Sequence, residues 1–197
     1  AEAFMALDAD LLLFRPLDDL FLALDEHQFV ACDYQWRSGF RYVFEPKAAE
    51  RAGFSPDDTF NGGFWGSRGD ALSPSELERW FSRLGEARRL FDFSSGTNNQ
   101  PLLNHLVAST GLKYVNLTRQ RLAEGSREPG SWAGSPNFER RGDVLFDRDL
   151  PLRYLHWAGY RLDSAAPYGE LWAEARAAAL TPSLLAPSSL APSPDSR

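Results

Sequence analysis

Two aspartates, Asp8 and Asp10, stand inside a short apolar run near the start of the chain, which reads Phe-Met-Ala-Leu-Asp-Ala-Asp-Leu-Leu-Leu-Phe-Arg-Pro over residues 4–16. Burying a carboxylate without a partner is costly. In a strand that frays at its end, residues i and i+2 point to the same side. Two hard oxygen ligands on one side suit Mg²⁺ or Mn²⁺, especially an ion shared with a phosphate. The alternatives are exposed carboxylates at a strand end, or caps for the next helix.

A glycine-containing segment, Asn61-Gly62-Gly63, is the second candidate for chemistry. The glycines would let backbone N–H groups approach a sugar or phosphate oxygen, and the Asn61 amide would bind a hydroxyl. The alternative is a plain turn. Arg68 follows shortly after, and its planar guanidinium could bind a phosphate, although taken alone it is better explained as a solvated surface arginine.

Amide side chains cluster in a third segment, at Asn99, Gln100 and Asn104. Asn99 and Gln100 lie where a helix should begin, so their amides would cap the helix or bind substrate hydroxyls. Capping does not explain why polar Gln100 and Asn104 recur four residues apart, on one helix face.

The fourth segment is His156-Trp157-Ala158-Gly159. A neutral imidazole at His156 would serve as a third metal ligand or would hold a diphosphate, while a structural hydrogen bond is the alternative. Trp157 would pack under a sugar ring or fill the core.

Composition excludes several classes of function for these 197 residues. The net charge of −6 argues against a general nucleic-acid binder, which needs a basic surface. No apolar run approaches the roughly 20 residues that span a bilayer. Cys32 is the only cysteine, so an internal disulfide is excluded, and a reducing compartment fits. With no recognisable signal peptide at the start, we expect a cytoplasmic protein.

Hydrophobic periodicity predicts an α/β fold in which a mixed sheet is flanked by helices. Ligands bind such sheets at the carboxyl ends of the strands, where the Asp8–Asp10 pair would lie. The predicted strands are Ala3–Phe14, Phe29–Cys32, a strand entered from the turn at residues 61–66, Tyr114–Leu117 and Arg153–Trp157. The predicted helices are Leu17–Leu24, one capped by Ser73, Gln100–Val107 and Glu170–Leu180. Asp33–Asp58 is expected to be irregular, Ala123–Asn137 a mobile loop, and residues 181–197 a disordered Pro/Ser/Ala tail.

The order of the four segments resembles that of the GT-A nucleotide-sugar glycosyltransferases, in particular the branch of glycogenin and the bacterial lipopolysaccharide galactosyl- and glucosyltransferases. That pattern is a strand ending in Leu-Asp-x-Asp, a Pro-Leu, an Asn-x-Gly turn, an Asp-Gln-x-x-Leu-Asn helix start and a late His-x-x-Gly. The matching segments are Leu7–Asp10, Pro16-Leu17, Asn61–Gly63, Asn99–Asn104 and His156–Gly159, spread over residues 4–160.

The resemblance implies the later half of a GT-A domain over residues 1–180, moving a sugar from a nucleotide-diphosphate donor to an unknown glycan, lipid or protein acceptor. Asp8, Asp10 and His156 would hold Mn²⁺ or Mg²⁺ against the donor diphosphate. Gln100 and Asn99 would be the catalytic positions. The expected substrate-binding residues are Asn61, Gly62, Gly63, Arg68, Asn104, Trp157 and Gly159.

Departures from the family pattern keep two other functions open. The family usually carries Asp where this chain has Asn99, so a role that needs a carboxylate there is lost or moved. The family's first strands, which bind the nucleotide base, would lie before residue 1, so we expect the domain to be truncated at its N-terminus. One alternative is therefore a truncated, non-catalytic sugar-binding domain. The other is a haloacid-dehalogenase-like phosphohydrolase, although Leu11 and Leu12 replace the small hydroxylated residues that normally follow its Asp-x-Asp.

Overall fold

A computed structural model describes residues 2–32, 43–55, 59–91 and 99–180. The chain divides into two compact units, Ala1–Gly159 and Tyr160–Arg197. The tail predicted for residues 181–197 lies outside the described residues, as does much of the predicted irregular segment Asp33–Asp58. Within that segment, a short helix that the sequence analysis did not predict, α2, spans Pro46–Arg51.

The predicted first strand is two strands, β1 (Ala3–Leu7) and β2 (Leu11–Leu13), separated by a turn that contains both aspartates. The N–H of Asp8 still donates to the carbonyl of Gly63, at 2.8 Å, in continuation of the pairing of β1. The carbonyl of Asp10 accepts instead from the N–H of Trp157, at 3.1 Å. The chain therefore leaves one sheet at Asp8 and enters another at Asp10.

The main sheet is mixed, as predicted, and its strand order is β1-β4-β3-β5. Its other strands are β3 (Phe29–Ala31), β4 (Phe64–Arg68) and β5 (Tyr114–Asn116). Strand β4 runs antiparallel to both β1 and β3, whereas β3 and β5 are parallel. The carboxyl end of β1 consequently lies beside the start of β4, with Leu7 opposite Phe64.

Helices cover both faces of this sheet because its strands alternate apolar side chains between two sides. On one side, Leu20 and Leu24 of helix α1 (Asp18–Glu26) pack with Val30. On the other side, Val107 of helix α4 (Asn99–Thr110) packs with Phe29 and Ala31. The α/β prediction is confirmed at this level.

Helix α3 (Pro74–Ala87) begins where the sequence predicts. The Ser73 side chain accepts from the N–H of Glu76, and the Glu76 carboxylate accepts from the N–H of Ser73 at 2.7 Å. This reciprocal capping is local in sequence, which is why the sequence predicts it. A single 3₁₀ turn, Arg88–Leu90, follows α3.

Two small sheets complete the described part of the first unit. Strand β2 pairs antiparallel with β9 (Tyr154–His156), which confirms the strand predicted at Arg153–Trp157. Strands β6 (Phe138–Arg141), β7 (Val144–Asp147) and β8 (Leu150–Pro151) form a meander that the sequence analysis did not predict. A helix that was not predicted either, α5 (Leu117–Ala123), precedes it.

The segment predicted as a mobile loop, Ala123–Asn137, is tied to its neighbours at several points. The N–H of Gly130 donates to the Asp147 carboxylate at 2.8 Å, and Arg127 forms an ion pair with the same carboxylate at 2.6 Å. Further along, Ser131 and Ala133 form backbone hydrogen bonds with His156. The segment therefore runs along β9 as an extra strand-like edge.

The second unit is described over residues 160–180, where helix α6 (Gly169–Leu180) confirms the predicted last helix. The Asp163 side chain accepts from the N–H of Ala165 at 2.9 Å before that helix. In the described part of the chain, none of the helices is long and apolar enough to cross a lipid bilayer.

A bidentate ion pair links the start of α1 to the entry of β9. Both terminal nitrogens of Arg153 donate to the Asp19 carboxylate, each at 2.7 Å, and the Arg153 carbonyl accepts from the N–H of Phe14 at 2.9 Å. The hydrogen bonds from Arg153 hold the pKa of Asp19 below its ordinary value, and the charges of Arg153 and Arg121 act in the same direction, although partial burial opposes them.

We predict that Asp19→Asn destabilises the protein near neutral pH and that this difference disappears in acid. Because the Asp19 pKa is lower in the folded state, the pair stabilises the fold above the unfolded-state pKa, near 3.8, and the stabilisation is lost as pH falls through the folded-state value. The loss at pH 7 should be about 0.5–1 kcal/mol, since Asp19 is 44 % exposed. Urea unfolding at pH 7 and pH 3 measures it. Asp18→Asn, one residue earlier on the same helix turn, is the control and should change stability little.

Candidate functional site

Three potential metal ligands converge at the carboxyl end of β1. The Nε2 atom of His156 lies 3.5 Å from an oxygen of Asp10 and 3.9 Å from an oxygen of Asp8. One ligand atom from each residue lies within 4.8 Å of the other two. The imidazole is nearly buried, with 4 % of the side chain exposed, whereas Asp8 is about half exposed. The cluster thus has a buried nitrogen side and an open carboxylate side.

Backbone pairing explains why residues almost 150 positions apart meet here. His156 is the last residue of β9 and pairs with Leu11, the first residue of β2, directly after the Asp8–Asp10 turn. On its other side, the N–H of His156 donates to Ser131 at 2.8 Å, and its carbonyl accepts from Ala133 at 2.9 Å. The backbone that carries the imidazole is therefore fixed from both sides.

The donor set fits a hard divalent cation. Ligands at about 2.1 Å from such an ion lie at most about 4.2 Å apart, and the two distances from the His156 nitrogen fall below that limit. Carboxylate oxygens suit Mg²⁺ and Mn²⁺, and imidazole is a common partner for transition metals. The half-exposed Asp8 leaves room for oxygen ligands from a bound molecule.

Electrostatics at the cluster also favour a bound cation. Partial burial raises the pKa of Asp8 above the usual aspartate value, the charge of His156 opposes this rise, and the neighbouring charge of Asp10 adds to it. A carboxylate whose charged form is disfavoured by burial and by a second carboxylate gains free energy when a cation neutralises both.

Gly63 permits the close approach of the imidazole to the glycine turn. A Cβ atom placed on Gly63 would overlap Cε1 of His156 and would lie 2.9 Å from Nε2 and 3.0 Å from Oδ1 of Asn61. Real Cβ contacts are not this short, so the ring position requires glycine here. The backbone of Gly63 also holds Asp8, whose N–H donates to its carbonyl.

Two amides from α4 fix the turn that contains Gly63. The Asn104 side chain accepts from the N–H of Phe60 and donates to the Phe60 carbonyl, both at 2.9 Å. The side-chain oxygen Oε1 of Gln100 accepts from the N–H of Gly62 at 3.3 Å. Within the turn, Asn61 accepts from the N–H of Gly63 at 2.8 Å. The i, i+4 spacing of Gln100 and Asn104 thus aims both amides at this turn.

This arrangement determines where the predicted polar residues lie. The structure brings Asn61, Gly62 and Gly63 to the edge of the cluster. The buried side chains of Gln100 and Asn104 bind the backbone of the turn, so they are positioning residues in this structure. Asn99 is exposed at the start of α4, where its side chain accepts from the N–H of Gln100 at 2.9 Å. A catalytic role for Asn99 or Gln100 stays a prediction.

Two residues predicted to bind substrate do not present their side chains to the open side of the cluster. Arg68 ends β4 opposite Ala3, because β4 runs antiparallel to β1, and its guanidinium is paired with Asp70 at 2.9 Å. It therefore lies at the opposite end of the sheet from Asp8, about 16 Å away at 3.3 Å per residue. Trp157 is completely buried, so no face of its indole is available to a sugar ring. Gly159 is exposed with φ +81°, a backbone conformation that favours glycine, and its predicted contact with substrate is untested.

The sequence analysis missed the strand-like segment 131–133 beside His156. It reads Ser-Trp-Ala in a stretch rich in Gly, Ser, Pro and Glu, and this composition is typical of a loop. Trp132 is 49 % exposed, and its indole N–H donates to the Ala158 carbonyl at 3.0 Å. An aromatic residue inside such a stretch was the one available signal.

We predict that Gly63→Ala weakens Mn²⁺ binding more than about tenfold while the protein remains folded. The added methyl group must displace the imidazole, whose Nε2 lies within 4 Å of both carboxylates. Titration calorimetry with Mn²⁺ measures the affinity, and circular dichroism checks the fold. Gly85→Ala on α3 is the matched control, since nothing lies within 4 Å of its Cβ position. Equal Mn²⁺ affinity in the two variants would contradict the role of Gly63.

We also predict that Asn104→Ala lowers the free energy of unfolding by about 1–3 kcal/mol, because the buried N–H and carbonyl of Phe60 lose their partner. Urea unfolding measures this loss. Gln120→Ala, on an exposed face of α5, removes an amide of similar polarity and should change stability by less than about 0.5 kcal/mol. A loss at Asn104 no greater than at Gln120 would mean that the amide does not hold the turn.

Comparison of the chain with protein-family models, with curated proteins and with solved structures gave no significant match, so the functional assignment has to be argued from the geometry of the cluster itself.

Proposed function

We propose that this chain binds Mn²⁺ or Mg²⁺ and transfers a sugar from a nucleotide-diphosphate donor to a glycan, lipid or protein acceptor. The observation that carries the proposal is the convergence of Asp8, Asp10 and His156 at the carboxyl end of β1. The Asn61–Gly63 turn stands next to these ligands. Three of the five segments on which the resemblance depends thus lie together, and α4, which begins with a fourth, supports them.

Each of these residues has a defined task in the proposed reaction. Asp8, Asp10 and His156 would hold the ion, with the open side of Asp8 facing the bound molecule. When bound, the metal neutralises negative charge that develops on the leaving diphosphate. Asn61 lies in the turn beside the cluster, and because its Oδ1 accepts from the N–H of Gly63, its Nδ2 would donate to a sugar hydroxyl. Gln100 and Asn104 keep the turn in the position that these contacts need.

The metal ligands are tested first. Asp10→Asn should weaken Mn²⁺ binding more than about tenfold, because the amide removes one of two anionic ligands, and it should leave the circular dichroism spectrum unchanged. Asp143→Asn, in the exposed turn between β6 and β7, removes the same charge away from the cluster and should have no effect. If the two variants bind Mn²⁺ with the same affinity, the metal assignment is wrong.

The donor is tested on the wild-type chain by thermal shift with Mn²⁺ and a panel of nucleoside diphosphates, followed by assays of sugar release from the matching nucleotide sugars. We expect stabilisation by Mn²⁺ and nucleotide together that exceeds the effect of either alone. Mn²⁺ binding with no response to any nucleotide would leave a metal site but contradict glycosyl transfer. Turnover of p-nitrophenyl phosphate would favour the phosphohydrolase instead.

A further inference from the structure

Trp132 lies beside the candidate metal centre, on the segment whose backbone pairs with that of His156. It forms a parallel bridge with His156, through the hydrogen bonds that Ser131 and Ala133 make with the histidine backbone. Residues paired in this way carry their side chains on the same face, and neighbouring strands lie about 4.8 Å apart. The indole therefore starts one strand spacing from the imidazole, on the face where the metal ligands lie.

The indole of Trp132 is held by a hydrogen bond, and about half of the residue is exposed to solvent. The Nε1 hydrogen is used in a hydrogen bond to the Ala158 carbonyl at 3.0 Å. Nevertheless 49 % of Trp132 is exposed, the largest exposed fraction among the tryptophans in the described part of the chain. Burial of an indole is strongly favourable, and neighbouring Trp157 is completely buried. An oriented, half-exposed aromatic face next to a polar centre is suited to bind a ring.

We propose that the indole of Trp132 is a stacking surface for a pyranose ring, an inference that rests on the proposed function. The C–H groups on one face of a hexose are apolar and slightly positive, and they pack well against the electron-rich face of an indole. The hydroxyl groups at the edge of the ring remain available to polar groups such as the Asn61 amide.

The spacing between Trp132 and the candidate metal ligands supports a sugar ring as the ligand. If Asp8, Asp10 and His156 held an ion, a bound diphosphate would lie against the open side of the carboxylates, and the sugar would be the next group of the donor. The Trp132 backbone lies one strand spacing, about 4.8 Å, from that of His156, which is comparable to the width of a single hexose. The same surface is also accessible to the terminal sugar of a saccharide acceptor. Trp132 would then select substrates that have an apolar ring face.

Calorimetry on the full chain in the presence of Mn²⁺ distinguishes whether the bound ring belongs to the donor sugar or to a saccharide acceptor. The donor arm compares UDP with UDP-glucose and UDP-galactose, and GDP with GDP-mannose. The acceptor arm adds maltose, lactose or methyl glycosides to the protein with Mn²⁺ and the nucleoside diphosphate that binds. Each arm is run on wild type, Trp132→Ala, Trp132→Phe and Phe81→Ala, the last being a control at an exposed aromatic residue of α3.

We expect Trp132→Ala to weaken the sugar-dependent part of the affinity in one arm by about 3- to 10-fold and to leave binding of Mn²⁺ and of the nucleoside diphosphate unchanged. Trp132→Phe should recover most of the loss, because it keeps an aromatic face, and Phe81→Ala should behave as wild type. A loss in the donor arm identifies the donor sugar as the ring, and a loss in the acceptor arm identifies a saccharide acceptor.

Two results would overturn the inference in distinguishable ways. If Trp132→Ala weakens Mn²⁺ binding itself, or leaves both arms unchanged although wild type binds Mn²⁺ and a nucleoside diphosphate, Trp132 is only a structural residue and the proposed function stands. If wild type binds no nucleoside diphosphate with Mn²⁺, the proposed function fails and the inference fails with it.

Discussion

The contact between the Gly63 backbone and the imidazole of His156 is the constraint on which the rest of the site depends. A Cβ atom on Gly63 would overlap the imidazole, so the turn and β9 approach at a distance that requires glycine at this position. The Gly63 carbonyl also binds the N–H of Asp8, and thereby sets the position of the first carboxylate relative to the imidazole. One residue without a side chain thus positions two of the three candidate metal ligands, and the amides of α4 keep that residue in place.

The sequence predicts those parts of the fold that depend on residues close together in the chain. The capping box at Ser73, the end of α4 before Gly111 and the apolar strand before Asp8 all depend on neighbours within a few positions. The meander β6–β8 was missed because its strands carry charged residues on an exposed face, and only their pairing shows them to be strands. Helix propensity and capping act locally, whereas pairing depends on distant residues.

The residues of the site show the same distinction. Alternation along a strand correctly suggests that Asp8 and Asp10 point to one place, although the structure achieves this with a turn between two sheets. That His156 joins them was implied by the resemblance, but neither its register with Leu11 nor its contact with Gly63 follows from the sequence alone. The position of Arg68 could not be predicted because the direction of β4 was unknown, and the choice between a sugar contact and a core position for Trp157 could not be made because its burial depends on elements distant in the chain.

Between Asp8 and Asp10 the chain passes from the main sheet to the β2–β9 pair, and this has a mechanical consequence. Asp8 is anchored to the main sheet through Gly63, whereas Asp10 and His156 belong to the pair β2–β9. An ion coordinated by all three would link the main sheet directly to the β2–β9 pair. Part of its binding free energy would then oppose relative movement of the two sheets, so the site with a bound ion would be stiffer than the site without one.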